Sequence, residues 1–311
     1  MEYIQTAKEH SLQKINALRG VLASEDPTFS IVVGGSLARG EASDESDIDY
    51  FFFGDDQASV NRATEFLRSK ESDIARIVGK APSADGAFGA GGCETRLALL
   101  TDIGGNADEN SKITRRILFL LEGAWLTSEP TFTQYRREVL MRYVSEHIAA
   151  PHLTRFLLND VIRYYRTICV DFEFKTVEKQ KEWGLRYIKL RYSRQFLYFS
   201  GIMAIAQTVG LTPTAKVERL MELFEQTPIE RVRTICGSNA DSALALYDNF
   251  LEKISSPEMR RELNSVTQNS VTHTHAFKEL QSKGREFTDE LSKILNGTYG
   301  SRHPIHRALA F

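Results

Sequence analysis

The sequence predicts an α+β protein, in which a small mixed β-sheet with flanking helices is followed by an all-α region. Three observations predict it. Ser30 to Val33 form a short β-branched run that stops at Gly34. Ile48 to Phe53 is apolar and aromatic, interrupted only by Asp49, which is strand composition. Beyond residues 130–150 the apolar spacing becomes almost wholly helical.

Taken in order, Tyr3 to Ala23 reads as an amphipathic helix, with Ile4, Ala7, Leu12, Ile15, Leu18 and Leu22 at roughly helical spacing. Pro27 precedes the first strand, and a polar loop from Leu37 to Ser46 leads to the second. Gln57 to Val78 is a further helix. Ala81 to Gly92, with one Pro and four Gly, reads as a mobile substrate loop. Cys93 to Leu100 offers a strand, although Arg96 to Leu100 could equally begin a helix. Ser111 to Trp125 is helical, with Ile113, Ile117, Leu120, Leu121 and Ala124 on one face. Helices then follow at about 134–149, 153–173, 177–208, 213–225, 239–255 and 270–295, and Ser301 to Phe311 reads as a surface arm. The shift in composition divides the chain into residues 1–145, a mixed-sheet domain, and 146–311, a helical domain.

The composition excludes several classes. With 311 residues, 42% hydrophobic and 26% charged, the chain is globular and long enough for two domains. A net charge of −2 argues against a protein that coats nucleic acid nonspecifically. Three scattered cysteines, Cys93, Cys169 and Cys236, predict neither a disulfide framework nor a Cys-x-x-Cys zinc site. No apolar run reaches membrane-spanning length, and Met1 to His10 lacks a signal-peptide core, so a soluble cytoplasmic protein without a membrane partner is expected.

The chemistry concentrates in Val32-Val33-Gly34-Gly35-Ser36-Leu37-Ala38-Arg39-Gly40 and Ser46-Asp47-Ile48-Asp49-Tyr50-Phe51. A strand that ends in Gly-Gly-Ser can turn sharply and bring its backbone against a phosphate, with Ser36 adding a hydroxyl. On a strand, residues two apart point to the same face, so Asp47 and Asp49 project together while Ile48 enters the core. Two carboxylates held that close repel, and a divalent cation resolves the conflict. Hard oxygen ligands suit Mg²⁺ or its substitute Mn²⁺, bound together with substrate phosphates.

This segment resembles the signature of the DNA polymerase β-like nucleotidyltransferase superfamily, an apolar Gly-Gly/Ser turn followed by Asp-x-Asp, here with ten residues between Ser36 and Asp47. The form Gly-Ser-x-x-Arg-Gly-Glu ending in Ser-Asp-x-Asp is most similar to the protein-PII uridylyltransferase-like branch. The run from Thr114 to Leu126 is similar to the helix that follows that branch's catalytic sheet. The resemblance implies transfer of a nucleoside monophosphate from a nucleoside triphosphate such as ATP to an acceptor hydroxyl. Asp47 and Asp49 would be the catalytic metal ligands, and Gly34, Gly35 and Ser36 the phosphate cradle. It also implies a third carboxylate as general base and metal ligand. Glu94 is the candidate, with Asp85 and Asp102 as rivals, and the branch itself shows no obvious third acid.

Arg39 is placed to reach a phosphate or to pair with Glu41 or Asp49. In the superfamily a helical domain commonly lends a Lys or Tyr to the triphosphate, and Lys189 and Arg186 fit that role. Both belong to a basic stretch, Arg155 to Arg194, with ten Lys/Arg against five Asp/Glu. On an α-helical wheel Lys189 flanks the apolar stripe of Leu185, Ile188, Tyr192, Phe196, Phe199 and Met203, while Arg191 and Arg194 point elsewhere. A solvated basic face is the bland reading. Arg163-Tyr164-Tyr165-Arg166 could stack on RNA, although tyrosines at helical spacing mostly pack. The pairs His273/His275 and His303/His306 lack further ligands for a metal. The acceptor class, whether a protein side chain, a tRNA end or a small molecule, is not legible. A catalytically inactive nucleotide sensor or partner-binding protein on the same scaffold, and an RNA-binding helical module, are the rival readings.

Overall fold

Alternation along two hydrophobic strands organises the N-terminal part. The computed structural model describes residues 1–79, 93–269 and 273–310. Strands β1 (Phe29–Gly34) and β2 (Asp49–Gly54) pair antiparallel from Phe29 opposite Gly54 to Gly34 opposite Asp49. Strand β3 (Cys93–Thr95) adds parallel to β2, and β4 (Ala124–Trp125) adds antiparallel to β1, giving a mixed sheet in the order β3-β2-β1-β4.

Both faces of this sheet are covered. Ile31, Val33 and Phe52 point into a core formed with α1 (Glu2–Val21) and, beyond the short α2 (Gly35–Ala38), α3 (Gln57–Val78). Asp56 caps the N-terminus of α3 by accepting from the Ser59 amide, and Gly79 ends it in the left-handed conformation. Val32, Phe51 and Phe53 point the other way. After α4 (Arg96–Leu100), they meet α5 (Asn110–Leu121) and α6 (Glu129–Tyr143), with Phe53 edge-on to Phe119.

The remaining helices are α7 (Arg155–Val177), α8 (Gly184–Lys189), α9 (Gln195–Ala206), α10 (Pro213–Glu225), α11 (Pro228–Cys236), α12 (Asp241–Ser255), α13 (Pro257–Asn264), α14 (His275–Thr298) and α15 (Pro304–Ala310). A π-helical turn, Leu190–Arg194, joins α8 to α9. The core on the Val32, Phe51 and Phe53 face runs without a break into these helices, through buried Val144 and Leu153 in the connection and on to Ile305. No described helix is long and apolar enough to cross a membrane.

Four details depart from the sequence reading. Only Asp49 of the aspartate pair lies in β2; Asp47 sits in the preceding loop. The helix expected over 111–125 stops at Leu121, where buried Arg136 donates to the carbonyl of Gly123 and that residue's lack of a Cβ permits close approach to the Phe119 carbonyl. Helices α11 and α13 were not anticipated, although each opens with the Thr-Pro or Ser-Pro pair that marks a capped N-terminus. The expected surface arm instead folds back as α15, because Ile305 has an apolar site to fill and is fully buried.

Candidate active site

β1 delivers Gly34 to the edge of the sheet beside Asp49, and the chain turns there into α2. Gly35 takes φ +65°, which a residue with a Cβ adopts only with strain. A Cβ at that position would lie 2.3 Å from Asp49 Oδ2, so the carboxylate rests directly against the bare glycine. Ile48 is buried as expected and anchors the segment between the two aspartates. Asp49 is half-buried, at the start of the row of side chains that includes Phe51 and Phe53. Asp47 is exposed. Burial pushes the Asp49 carboxyl up to about 6, helped by the negative charges of Asp47 and Glu122 and opposed by Arg194 and Arg39. The two carboxylates therefore feel each other although one lies outside the strand.

A buried frame of charges holds the turn. The Gly35 amide donates to Glu122 Oε1 at 2.9 Å, and Arg39 Nη1 donates to Glu122 Oε2 at 2.6 Å. Arg39 Nε donates to Glu41 Oε2 at 2.8 Å, and the Tyr247 hydroxyl on α12 donates to Glu41 Oε1 at 2.5 Å. Burial would raise the Glu122 carboxyl, but Arg39, Arg194 and the Gly35 amide outweigh it and hold it below the ordinary carboxylate range. Arg39 is thus buried and engaged by two acids. The structure pairs it with Glu41, and with Glu122 in place of Asp49. Ser36 is half-buried, and among the described residues its hydroxyl has no hydrogen-bond partner.

The helical part supplies the opposite charge. Lys189 ends α8, and burial brings its ammonium down to about 8, reinforced by Arg260 and opposed by Asp47. Arg194 Nη1 lies 3.8 Å from Glu122 Oε2 and acts on Asp49. The expectation that Arg194 points elsewhere fails at the π-helical turn. There hydrogen bonds run five residues apart, so residues 189 and 194 come to one side, whereas an α-helical wheel separates them. From α13, Arg260 donates to the Glu45 carbonyl at 2.9 Å and to Ser43 Oγ at 3.3 Å, bracing the loop that leads to Asp47. Arg186 is exposed and makes no hydrogen bond or ion pair among the described residues.

Glu94 is not brought to this end of the sheet. It stands opposite Phe53, near the far end of β2 from Asp49, and pairs with Arg115 at 2.9 Å. Four residues of strand span about 13 Å. Asp102 is spent in a turn, accepting from the Ala107 amide at 2.7 Å. Asp85 and the glycine cluster Gly86 to Gly92 lie outside the described residues. The site residues that sequence reasoning passed over are Glu122, Tyr247 and Arg260; Glu41 was named only as a partner for Arg39, and Arg194 was placed elsewhere. Glu122 had a signal: a lone acid between the apolar run of α5 and the Gly-Ala-Trp-Leu strand.

With the geometry in view, residues 15–81 match the nucleotidyltransferase domain family. The match runs from the middle of α1 through Gly34-Gly35-Ser36, Asp47 and Asp49 to just past the end of α3. It supports the polymerase β-like superfamily and a transferase activity of the nucleotidyl class in general. No curated protein matches the chain.

Proposed function

We propose that the protein transfers a nucleoside monophosphate from a nucleoside triphosphate to an acceptor hydroxyl. One observation carries the reading: the Asp49 carboxylate is seated on Gly35 beside Asp47, with Lys189, Arg194 and Arg260 converging from the helical part. Carboxylates on one side and cations on the other is the division of charge that a metal–triphosphate ligand requires.

The pair fits a hard divalent cation such as Mg²⁺. Its donors are carboxylate oxygens, and the burial and the repulsion from Asp47 that together raise Asp49 are what a bound cation offsets. When bound, the ion would supply charge neutralisation at the reacting phosphate. The chain's own residues do the rest. Gly35 allows the phosphate to approach the backbone, and Ser36 offers an uncommitted hydroxyl. Lys189 and Arg194 neutralise the departing pyrophosphate, with exposed Arg186 as an outer contact. Glu122 keeps the turn in shape and has both oxygens occupied, so it is a positioning residue. A protein side-chain hydroxyl is the acceptor class we favour, because the turn from Gly35 to Glu41 resembles the uridylyltransferase-like branch. Residues 146–311 would then close over the nucleotide.

The test is release of pyrophosphate and labelling of acceptors from each labelled nucleoside triphosphate with Mg²⁺. Wild type should label product and Asp47→Ala/Asp49→Ala should not. Equal behaviour of the two across a broad acceptor panel would overturn the proposal.

A further inference from the structure

A second cleft lies away from the Asp47–Asp49 pair. It is a cavity of about 730 Å³ between the end of α6, the 145–154 connection, the start of α7 and α15. Arg142, Arg155, Arg302 and Arg307 line it, and no Asp or Glu does. All four arginines are exposed, and among the described residues none pairs with a carboxylate. Four like charges gathered without a counter-charge repel each other, and a bound anion relieves that repulsion.

Two further features point the same way. The N-terminus of α7, a helix of 23 residues, opens at this cleft, and no side chain caps its first-turn amides. Its N-cap residue, Thr154, lines the cavity and is 1% exposed, yet its hydroxyl oxygen is buried without a hydrogen-bond partner. The Arg155 amide donates to the Leu153 carbonyl at 2.8 Å, and the uncapped amides after it, the unmatched hydroxyl and the arginines together favour a phosphate. The wall is rigid, because buried Lys216 donates to the carbonyls of Ala150 and His152 at 3.1 and 2.8 Å. Phe156, 41% exposed, stands on the same rim and stacks edge-on against Tyr143, leaving a ring available to a planar group.

The geometry points to a binding site for a nucleoside phosphate, free or as a unit of a single strand, with its phosphate at Thr154 and the arginines and its base on Phe156. The inference is independent of the reading of the Asp47–Asp49 pair. It is tested by calorimetric titration of the full chain, at low salt, with the 5′-phosphorylated dinucleotide pUpU and separately with inorganic phosphate. Arg302→Glu/Arg307→Glu should weaken both probes roughly tenfold or more, and Thr154→Val about fivefold, with unchanged circular dichroism. Phe156→Ala should weaken pUpU roughly fivefold and leave phosphate alone. Asp47→Asn/Asp49→Asn should bind as wild type does. Absence of binding, indifference to the arginine substitutions, or loss of binding in the aspartate variant would each overturn the site. Equal affinity for pUpU and phosphate would overturn the nucleoside assignment. If the dinucleotide binds more tightly than uridine 5′-monophosphate the occupant is a strand, and if equally, a free nucleotide.

Discussion

At the scale of single residues, Gly35 and Asp49 act as one unit. Replacing Gly35 by Ala puts a methyl group 2.3 Å from Asp49 Oδ2 and forces a residue with a Cβ into φ +65°. The backbone strain alone is about 1–2 kcal/mol, and Asp49 must move. Gly35→Ala is expected to lower the melting temperature and to cut nucleotidyl transfer by roughly a hundredfold or more, a loss that displacement of a reacting group by about an ångström can cause. Asp49 has its own signature. Folding raises its carboxyl from 3.8 to about 6, so between those values the native state holds a proton that the unfolded chain releases. Stability contributed by this group therefore falls as pH rises through that window, and the ionised form is held at neutral pH at a cost of roughly 2–3 kcal/mol. Without divalent cations, Asp49→Asn should melt at a higher temperature than wild type at pH 8, and the gain should shrink between pH 6 and pH 5. A thermal melt series that shows no such trend would refute the assignment.

At the scale of elements, the site depends on helices that reach back to a loop. Arg260 on α13 donates to the Glu45 carbonyl and to Ser43 Oγ, with its third contact at the Ile254 carbonyl. Arg260→Ala should cost about 1–3 kcal/mol of stability, lower transfer activity, and speed hydrogen exchange in residues 43–47 while the β1–β2 ladder stays protected. These dependencies also explain what could be read in advance. The strands, the Gly-Gly-Ser turn and Asp-x-Asp are local patterns, and α3 and α10 fall at their expected limits because caps and apolar spacing lie within a few residues. The partners of the turn do not. Glu122 meets Gly35 across 87 residues and Tyr247 meets Glu41 across 206, distances over which no spacing rule operates. Arg194 was hidden for another reason: one π-helical turn changes the periodicity on which a helical wheel rests. Glu94 looked suitable because it opens a strand, yet the parallel register that sets it beside Phe53 is not written in its neighbours.

At the scale of the whole molecule, the sheet shares a core with the helices that follow it. A fragment ending at residue 145 would leave Leu121 without Gly201 against it, the α5 core without the residues of α7 and α9 that share it, and Glu41 without Tyr247. We expect that fragment to lack a cooperative thermal transition and dispersed amide resonances, while the full chain unfolds in a single step. Arg116 is a second tie between the two parts. It is fully buried, bonded to Asp108, Asp160 and Tyr143, and so joins α5, α6 and α7. Arg116→Met takes from Asp108 and Asp160 the buried cation they share and should destabilise the fold by about 3–5 kcal/mol, as measured by urea denaturation.

The strap from Arg260 to the Glu45 carbonyl also sets a schedule. The loop that leads to Asp47 leaves the ribosome early, but the arginine that braces it follows 215 residues later. At about 5–20 residues per second that interval is roughly ten to forty seconds. Throughout it the nascent chain carries the two aspartates with no α13 beside them, so on the proposed reading a chain still being made is inactive until about its last sixth arrives, and one cut short before α13 stays so.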